Sequence, residues 1–101
     1  MIIRSPSSPS GTARVSVAGE IDMATADDFR VALRDAVTTG GVDTVVVDLA
    51  EVTFCDSSGM AVLDEMYGLA SDRHITFRLV NPQKSVRRVL EILGMTSLLH
   101  T

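Results

Sequence analysis

The stretch Thr44-Val45-Val46-Val47-Asp48-Leu49 leads, four residues later, into Phe54-Cys55-Asp56-Ser57-Ser58-Gly59-Met60. Its first part is β-branched and apolar, and reads as a strand in the middle of a sheet. Its second part is a turn. Asp, Ser and Ser are helix-capping residues, and Gly eases a tight bend. From Met60 to about Ser71 the pattern is helical, so residues 44–71 read as strand, turn and helix.

Working outward, the same unit recurs on both sides. Upstream, Ala13–Ala18 alternates, with Val15 and Val17 on one side and Arg14 and Ser16 on the other. Gly19-Glu20-Ile21-Asp22 is expected to turn the chain. Thr25 then reads as an N-cap, with Asp27 and Asp28 in the first helical turn, where the helix dipole favours carboxylates. Phe29, Ala32, Leu33, Ala36 and Val37 form an apolar stripe that Gly40-Gly41 ends. Downstream, Ile75, Phe77 and Leu79 alternate with Thr76 and Arg78. Asn81-Pro82 reads as an N-cap followed by proline at the first helical position. Val86, Val89, Leu90 and Leu93 make a third stripe, and Gly94 ends it. The tail from Ser97 to Thr101 is expected to add one more short strand.

The N-terminus differs in composition. Met1-Ile2-Ile3-Arg4 is either a short edge strand or a frayed tail. Residues 5–12 are rich in Ser and Pro and read as a flexible hairpin loop. The rest is β-α-β-α-β-α with short connections, which predicts a parallel sheet core with right-handed crossovers. Fully covered parallel strands are continuously apolar, yet two of these three strands alternate. All three helices are therefore expected on one face, with much of the other face wet. That is not the doubly wound nucleotide-binding arrangement.

Composition narrows the function. The chain has 101 residues, enough for one domain spanning 1–101, with 46% hydrophobic residues, 22% charged and a net charge of −4. An acidic chain whose one adjacent basic pair is Arg87-Arg88 is a poor nucleic-acid binder. No apolar run approaches the ~20 residues of a membrane span, and Met1–Arg4 does not open a signal peptide. The single cysteine, Cys55, cannot form an internal disulfide, and a reducing cytoplasm is the expected compartment. Cys and His are too few for a zinc site. Nucleotide-binding, hydrolase-elbow and metalloprotease motifs are absent, so no catalytic residue, cofactor or metal is expected. His74 and His100 read as solvent-facing polar residues, and Cys55 as a small buried hydrophobe.

Asp56-Ser57-Ser58-Gly59 carries two readings. One is a helix cap and nothing more. The other is a phosphoacceptor, because a serine at a helix start is reachable and the helix dipole partly stabilises a phosphate. A phosphate adds about −1.5 to −2 charge, enough to repel an acidic partner or break a flush interface.

Three stretches together resemble the STAS domain, the sulfate transporter and anti-sigma factor antagonist family. They are Val17-Ala18-Gly19-Glu20-Ile21-Asp22, then Phe54-Cys55-Asp56-Ser57-Ser58-Gly59-Met60, then Ser85-Val86-Arg87-Arg88-Val89-Leu90-Glu91-Ile92-Leu93-Gly94. The resemblance implies an α/β fold with a mixed, mostly parallel sheet and helices mainly on one face. In its antagonist branch it implies partner switching. The unphosphorylated protein binds an anti-sigma factor that is also a serine kinase and so frees a sigma factor. Phosphorylation ends that binding, and a metal-dependent phosphatase restores it. By position, the acceptor is Ser57, with Ser58 as the alternative. The partner surface comprises Glu20, Asp22, Met23, Asp56, Ser57, Ser58, Gly59 and Met60.

Family members usually continue past the third helix into a strand and a final helix, so partner contacts from that helix are expected to be missing here. A STAS scaffold subunit of a stressosome or transporter complex is the main rival, although the serine at position 57 favours the antagonist. A two-component receiver is excluded by the lack of an acidic pair after the first strand, and by Lys84, the one lysine, falling at a helix start. A Ser57 hydrolase lacks a placed histidine. The wet sheet face leaves room for weak pairing with a second copy.

Overall fold

The structure is a computed structural model and describes residues 1–5 and 10–99. Most of the Ser/Pro stretch, residues 6–9, and the last two residues lie outside the described ones. Four strands form one sheet in the order β1 (Ile2–Arg4), β2 (Thr12–Ile21), β3 (Thr44–Cys55) and β4 (Thr76–Val80). β1 lies antiparallel to β2, while β2, β3 and β4 run parallel. The sheet is therefore mixed and mostly parallel. Met1–Arg4 supplies its edge strand.

Helices α1 (Ala26–Thr38), α2 (Ser57–Asp72) and α3 (Lys84–Ile92) connect or follow the parallel strands. Val15 and Val17 of β2, Val45, Val47 and Leu49 of β3 and Phe77 and Leu79 of β4 are buried, each on the same side of the sheet. They share one core with Phe29, Leu33 and Val37 of α1, Val62, Leu63 and Met66 of α2, and Val86 and Leu90 of α3. One buried sheet face with one core means that all three helices cover the same side, as right-handed crossovers in one direction require. The opposite face is open. Register places Thr12, Thr44 and Thr76 in one row across it, and Arg14, Val46 and Arg78 in the next. Arg14 reaches Asp48 there at 2.6 Å.

Several boundaries differ from the sequence reading, and each has a local cause. β2 does not end at Gly19 but runs through Gly19-Glu20 to Ile21, because Gly19 takes a positive φ of 100° where the pairing with β3 slips. β3 runs on from Leu49 to Cys55 as one strand, with two register shifts against β2. Thr25 occupies the cap position of α1 but makes no side-chain cap bond. Asn81 takes a positive φ of 57°, so the cap of α3 moves to Gln83 and Pro82 falls outside the helix. Leu93 lies beyond the last turn of α3 and is half exposed, so the third stripe buries Val86 and Leu90 with Val89 only partly covered. The tail forms a 3-10 turn at Thr96–Leu98, and among the described residues after it Leu99 bridges β4, parallel to Leu79.

Candidate functional site

Two segments meet at the C-terminal end of the parallel strands. Glu20 and Ile21 at the end of β2 pair in register with Phe54 and Cys55 at the end of β3. The Asp56 amide then donates to the Ile21 carbonyl at 3.1 Å. This pairing brings Asp22 and Met23, which follow β2, beside Asp56 and Ser57, which open α2.

The α2 turn is organised by Asp56. Its backbone is extended, and its carboxylate accepts from the Ser58 amide at 2.9 Å and the Gly59 amide at 3.3 Å. Two of the donors that a helix start leaves unpaired are thus satisfied. The cap is therefore Asp56, and neither serine hydroxyl is needed for it. Gly59 is buried against the ends of both strands. A methyl group there would lie 2.5 Å from Cys55 Sγ and 2.6 Å from Ile21 Cγ2, so only glycine lets the helix approach the sheet this closely. Met60 is 2% exposed and packs in the core. Gly59 and Met60, both expected on the partner surface, are instead buried and support the turn from beneath, which corrects that expectation. Ser57 is exposed and Ser58 half-buried.

The β2–α1 turn is organised by Asp22 and Thr25. Asp22 Oδ1 accepts from the amides of Ala24 at 2.9 Å and Thr25 at 3.1 Å. The Thr25 hydroxyl accepts from the Asp22 amide at 2.9 Å and lies 3.2 Å from the Glu20 carbonyl, to which it can donate. Thr25 thus closes the turn backward instead of capping the helix forward. Glu20 and Met23 remain exposed, Met23 at 82%. Among the described residues, none of Glu20, Asp22 and Asp56 is in an ion pair, so the rim of the site is acidic.

Cys55 is buried beneath the turn. Burial, and after it the nearby Asp56 carboxylate, push its thiol from an ordinary 9.0 up to about 12. It is protonated at neutral pH and unreactive as a nucleophile. Among the described residues no three His, Cys, Asp or Glu side chains converge as metal ligands would. His74 is exposed and lies in the turn after α2. His100 lies outside the described residues.

Phe54 lies at the same strand end, and the sequence reading did not assign it a role. It is 50% exposed, next to Glu20 in register and two residues before the cap. Simple alternation along β3 hid it, because each register shift reverses which residues face the core. The signal available was an aromatic residue at a strand end in a chain with only one Tyr, three Phe and no Trp.

The family model described as "Mlab, STAS domain" matches residues 5–100. The chain belongs to the STAS domain family. This STAS domain is 31% identical over 85 residues to an anti-sigma F factor antagonist of Lysinibacillus sphaericus, covering 83% of this chain and 72% of that protein. Among solved structures, an anti-sigma factor antagonist from Mycobacterium paratuberculosis superposes with a TM-score of 0.87 and 28% identity, covering 98% of this chain and 84% of that one. The unphosphorylated form of the anti-sigma factor antagonist SpoIIAA gives a TM-score of 0.85 at 21% identity, over 98% of this chain and 86% of that one, and supports the fold. Among the described residues of this STAS domain, no helix is long and apolar enough to cross a membrane.

Proposed function

We propose that this STAS domain is an anti-sigma factor antagonist whose binding is switched by phosphorylation of Ser57. The observation that carries the reading is the exposure of Ser57 in a turn that is otherwise occupied. Cys55 and Gly59 are buried, the Asp56 carboxylate is held by two amides, and Ser58 is half covered. Ser57 is the hydroxyl offered to a partner. Relatives named as anti-sigma F factor antagonists support the partner class.

In this reading the unphosphorylated surface around Ser57, with Glu20, Asp22 and Met23, binds a cytoplasmic anti-sigma factor with serine kinase activity. ATP and its magnesium are bound by that partner. Ser57 Oγ attacks the γ-phosphorus, ADP leaves, and the hydroxyl proton passes to a base of the kinase. The product carries a dianion beside Asp56, Asp22 and Glu20. Closing an interface over it requires stripping its water, so the complex separates. A metal-dependent phosphatase then hydrolyses the phosphoester and restores the binding form. No step uses a catalytic group of this chain.

The test is capture from extract of the protein's own organism, with wild type, Ser57→Ala and Ser57→Asp as baits, with and without ATP. Wild type is expected to hold an ATP-binding kinase and release it with ATP. Ser57→Ala holds it regardless of ATP, and Ser57→Asp holds it poorly. If Ser57→Ala is phosphorylated as fast as wild type, the acceptor is not Ser57. If every bait keeps one partner regardless of ATP, the protein is a docking subunit of a larger complex and not a switch.

A further inference from the structure

The docking surface described so far faces the helix side of the sheet end, but the exposed apolar groups at this end do not stop there. Met23, on the β2–α1 turn, is 82% exposed, and Phe54, at the end of β3, is 50% exposed. Phe54 pairs in register with Glu20, whereas the next pair along, Ile21 and Cys55, is buried in the core. Neighbouring side chains on a strand point to opposite faces. Phe54 and Glu20 therefore lie on the open side of the sheet, and Ser57 on the helix side, with Asp56 between them.

We infer that the anti-sigma factor straddles the end of the sheet, gripping Met23 and Phe54 as two apolar anchors. This inference rests on the proposed function and names the partner's complementary chemistry. The partner offers an apolar cleft for the two side chains, rimmed by lysine or arginine. Two observations select that occupant. Large apolar groups exposed at the site itself are the type that carries binding energy at the centre of an interface. The groups beside them are acidic, since Glu20 pairs in register with Phe54, Asp22 adjoins Met23 and Asp56 follows Cys55, and none of the three is in an ion pair among the described residues. A second copy of this chain would bring the same carboxylates against one another and does not fit.

The arrangement also gives the switch its leverage. The phosphate would form at the edge of an apolar contact, where desolvating a dianion is most costly. Cations at the rim are matched to the existing carboxylates and sit outside that contact.

The experiment measures binding of the purified kinase-type anti-sigma factors encoded by the protein's own organism, by surface plasmon resonance, in ADP so that no transfer occurs. Phe54→Ala and Met23→Ala are each expected to weaken binding on the order of tenfold or more, mainly through faster dissociation. Phe54→Tyr retains binding, and so does Asp72→Ala at the far end of α2. Added salt weakens the wild-type complex. Circular dichroism melts confirm that each variant is folded, which a half-exposed and an almost fully exposed side chain permit. If wild type binds and both alanine variants bind within twofold of it, the anchors are overturned while the proposed function stands. A salt-insensitive complex overturns the cationic rim. If wild type binds none of the kinases, the proposed function fails and the anchors fail with it.

Discussion

Cys55 shows how a residue that touches no partner constrains the site. Its thiol is buried between α2 and the strand ends, and burial followed by the Asp56 charge pushes it up to about 12. In the unfolded chain the same thiol titrates near its ordinary 9.0. Between those values the folded state holds a proton that the unfolded state has lost, so stability falls as pH rises. The contribution is complete below about pH 9 and is lost as pH rises through about 12. Urea melts of wild type should therefore shift to lower midpoint across that window. Cys55→Ala should show a shallower decline, because only the titration common to both proteins remains. An identical decline in the two proteins would mean that the thiol is not sequestered. At neutral pH the buried, protonated thiol is also a poor target for oxidation.

At the scale of elements, the start of α2 depends on a single carboxylate. Asp56 accepts from the amides of Ser58 and Gly59, and the four-residue turn holds its shape around those two bonds. Asp56→Ala should cost about 0.5–2 kcal/mol. Asp56→Asn, which keeps an acceptor, should cost a few tenths of that range at most. Ser58→Ala should be close to neutral, because the Ser58 hydroxyl caps nothing. Thermal unfolding followed by circular dichroism separates the three. A Ser58→Ala loss equal to that of Asp56→Ala would move the cap to the serine. β3 is the other informative element. Its buried residues run Val45, Val47 and Leu49, then Val52, then Cys55, so the spacing changes from two to three at each register shift. Asp48 anchors the first shift. Burial raises its pKa, but hydrogen bonds from the Ala50 amide, Arg14 and Asn81 outweigh that and hold it below the ordinary value. The second shift turns Phe54 outward and lets Cys55 return to the core.

For the whole molecule, one-sided layering divides the surface by chemistry. The helices bury one sheet face into a single core, while the other face carries Arg4, Arg14 and Arg78 together with Asp48 and Glu51 in rows set by the strand register. Arg14 is paired with Asp48, but neither Arg4 nor Arg78 is in an ion pair among the described residues. Face-to-face pairing of two copies through this sheet would bury these charged side chains, and their desolvation opposes it. The protein is therefore expected to sediment as a monomer at micromolar concentration. Sedimentation that shifts to a dimer in this range, and is abolished by Arg78→Glu, would overturn that reading. The sheet end is acidic and partly apolar. A protein with a net charge of −4 thus has an acidic sheet end and a sheet face of mixed charge.

Local patterning determined most of the architecture. The apolar stripe on α1, the β-branched run of β3 and the alternation in β2 and β4 are read from residue order, since their periods follow from backbone geometry alone. The same is true of the turn around Asp56, because capping chemistry acts over a few residues. Tertiary structure decided what depends on neighbours distant in sequence. The register of Glu20 against Phe54 set which face Phe54 occupies, and the extra residues in β3 become visible only beside β2. Met60 could be placed in the core, and Met23 outside it, only once α2 and α1 were packed on the sheet. Asn81 was misread, and Thr25 caps α1 by position without a side-chain cap bond, for the same reason. A capping residue type permits several local bonds, and the packed chain selects one.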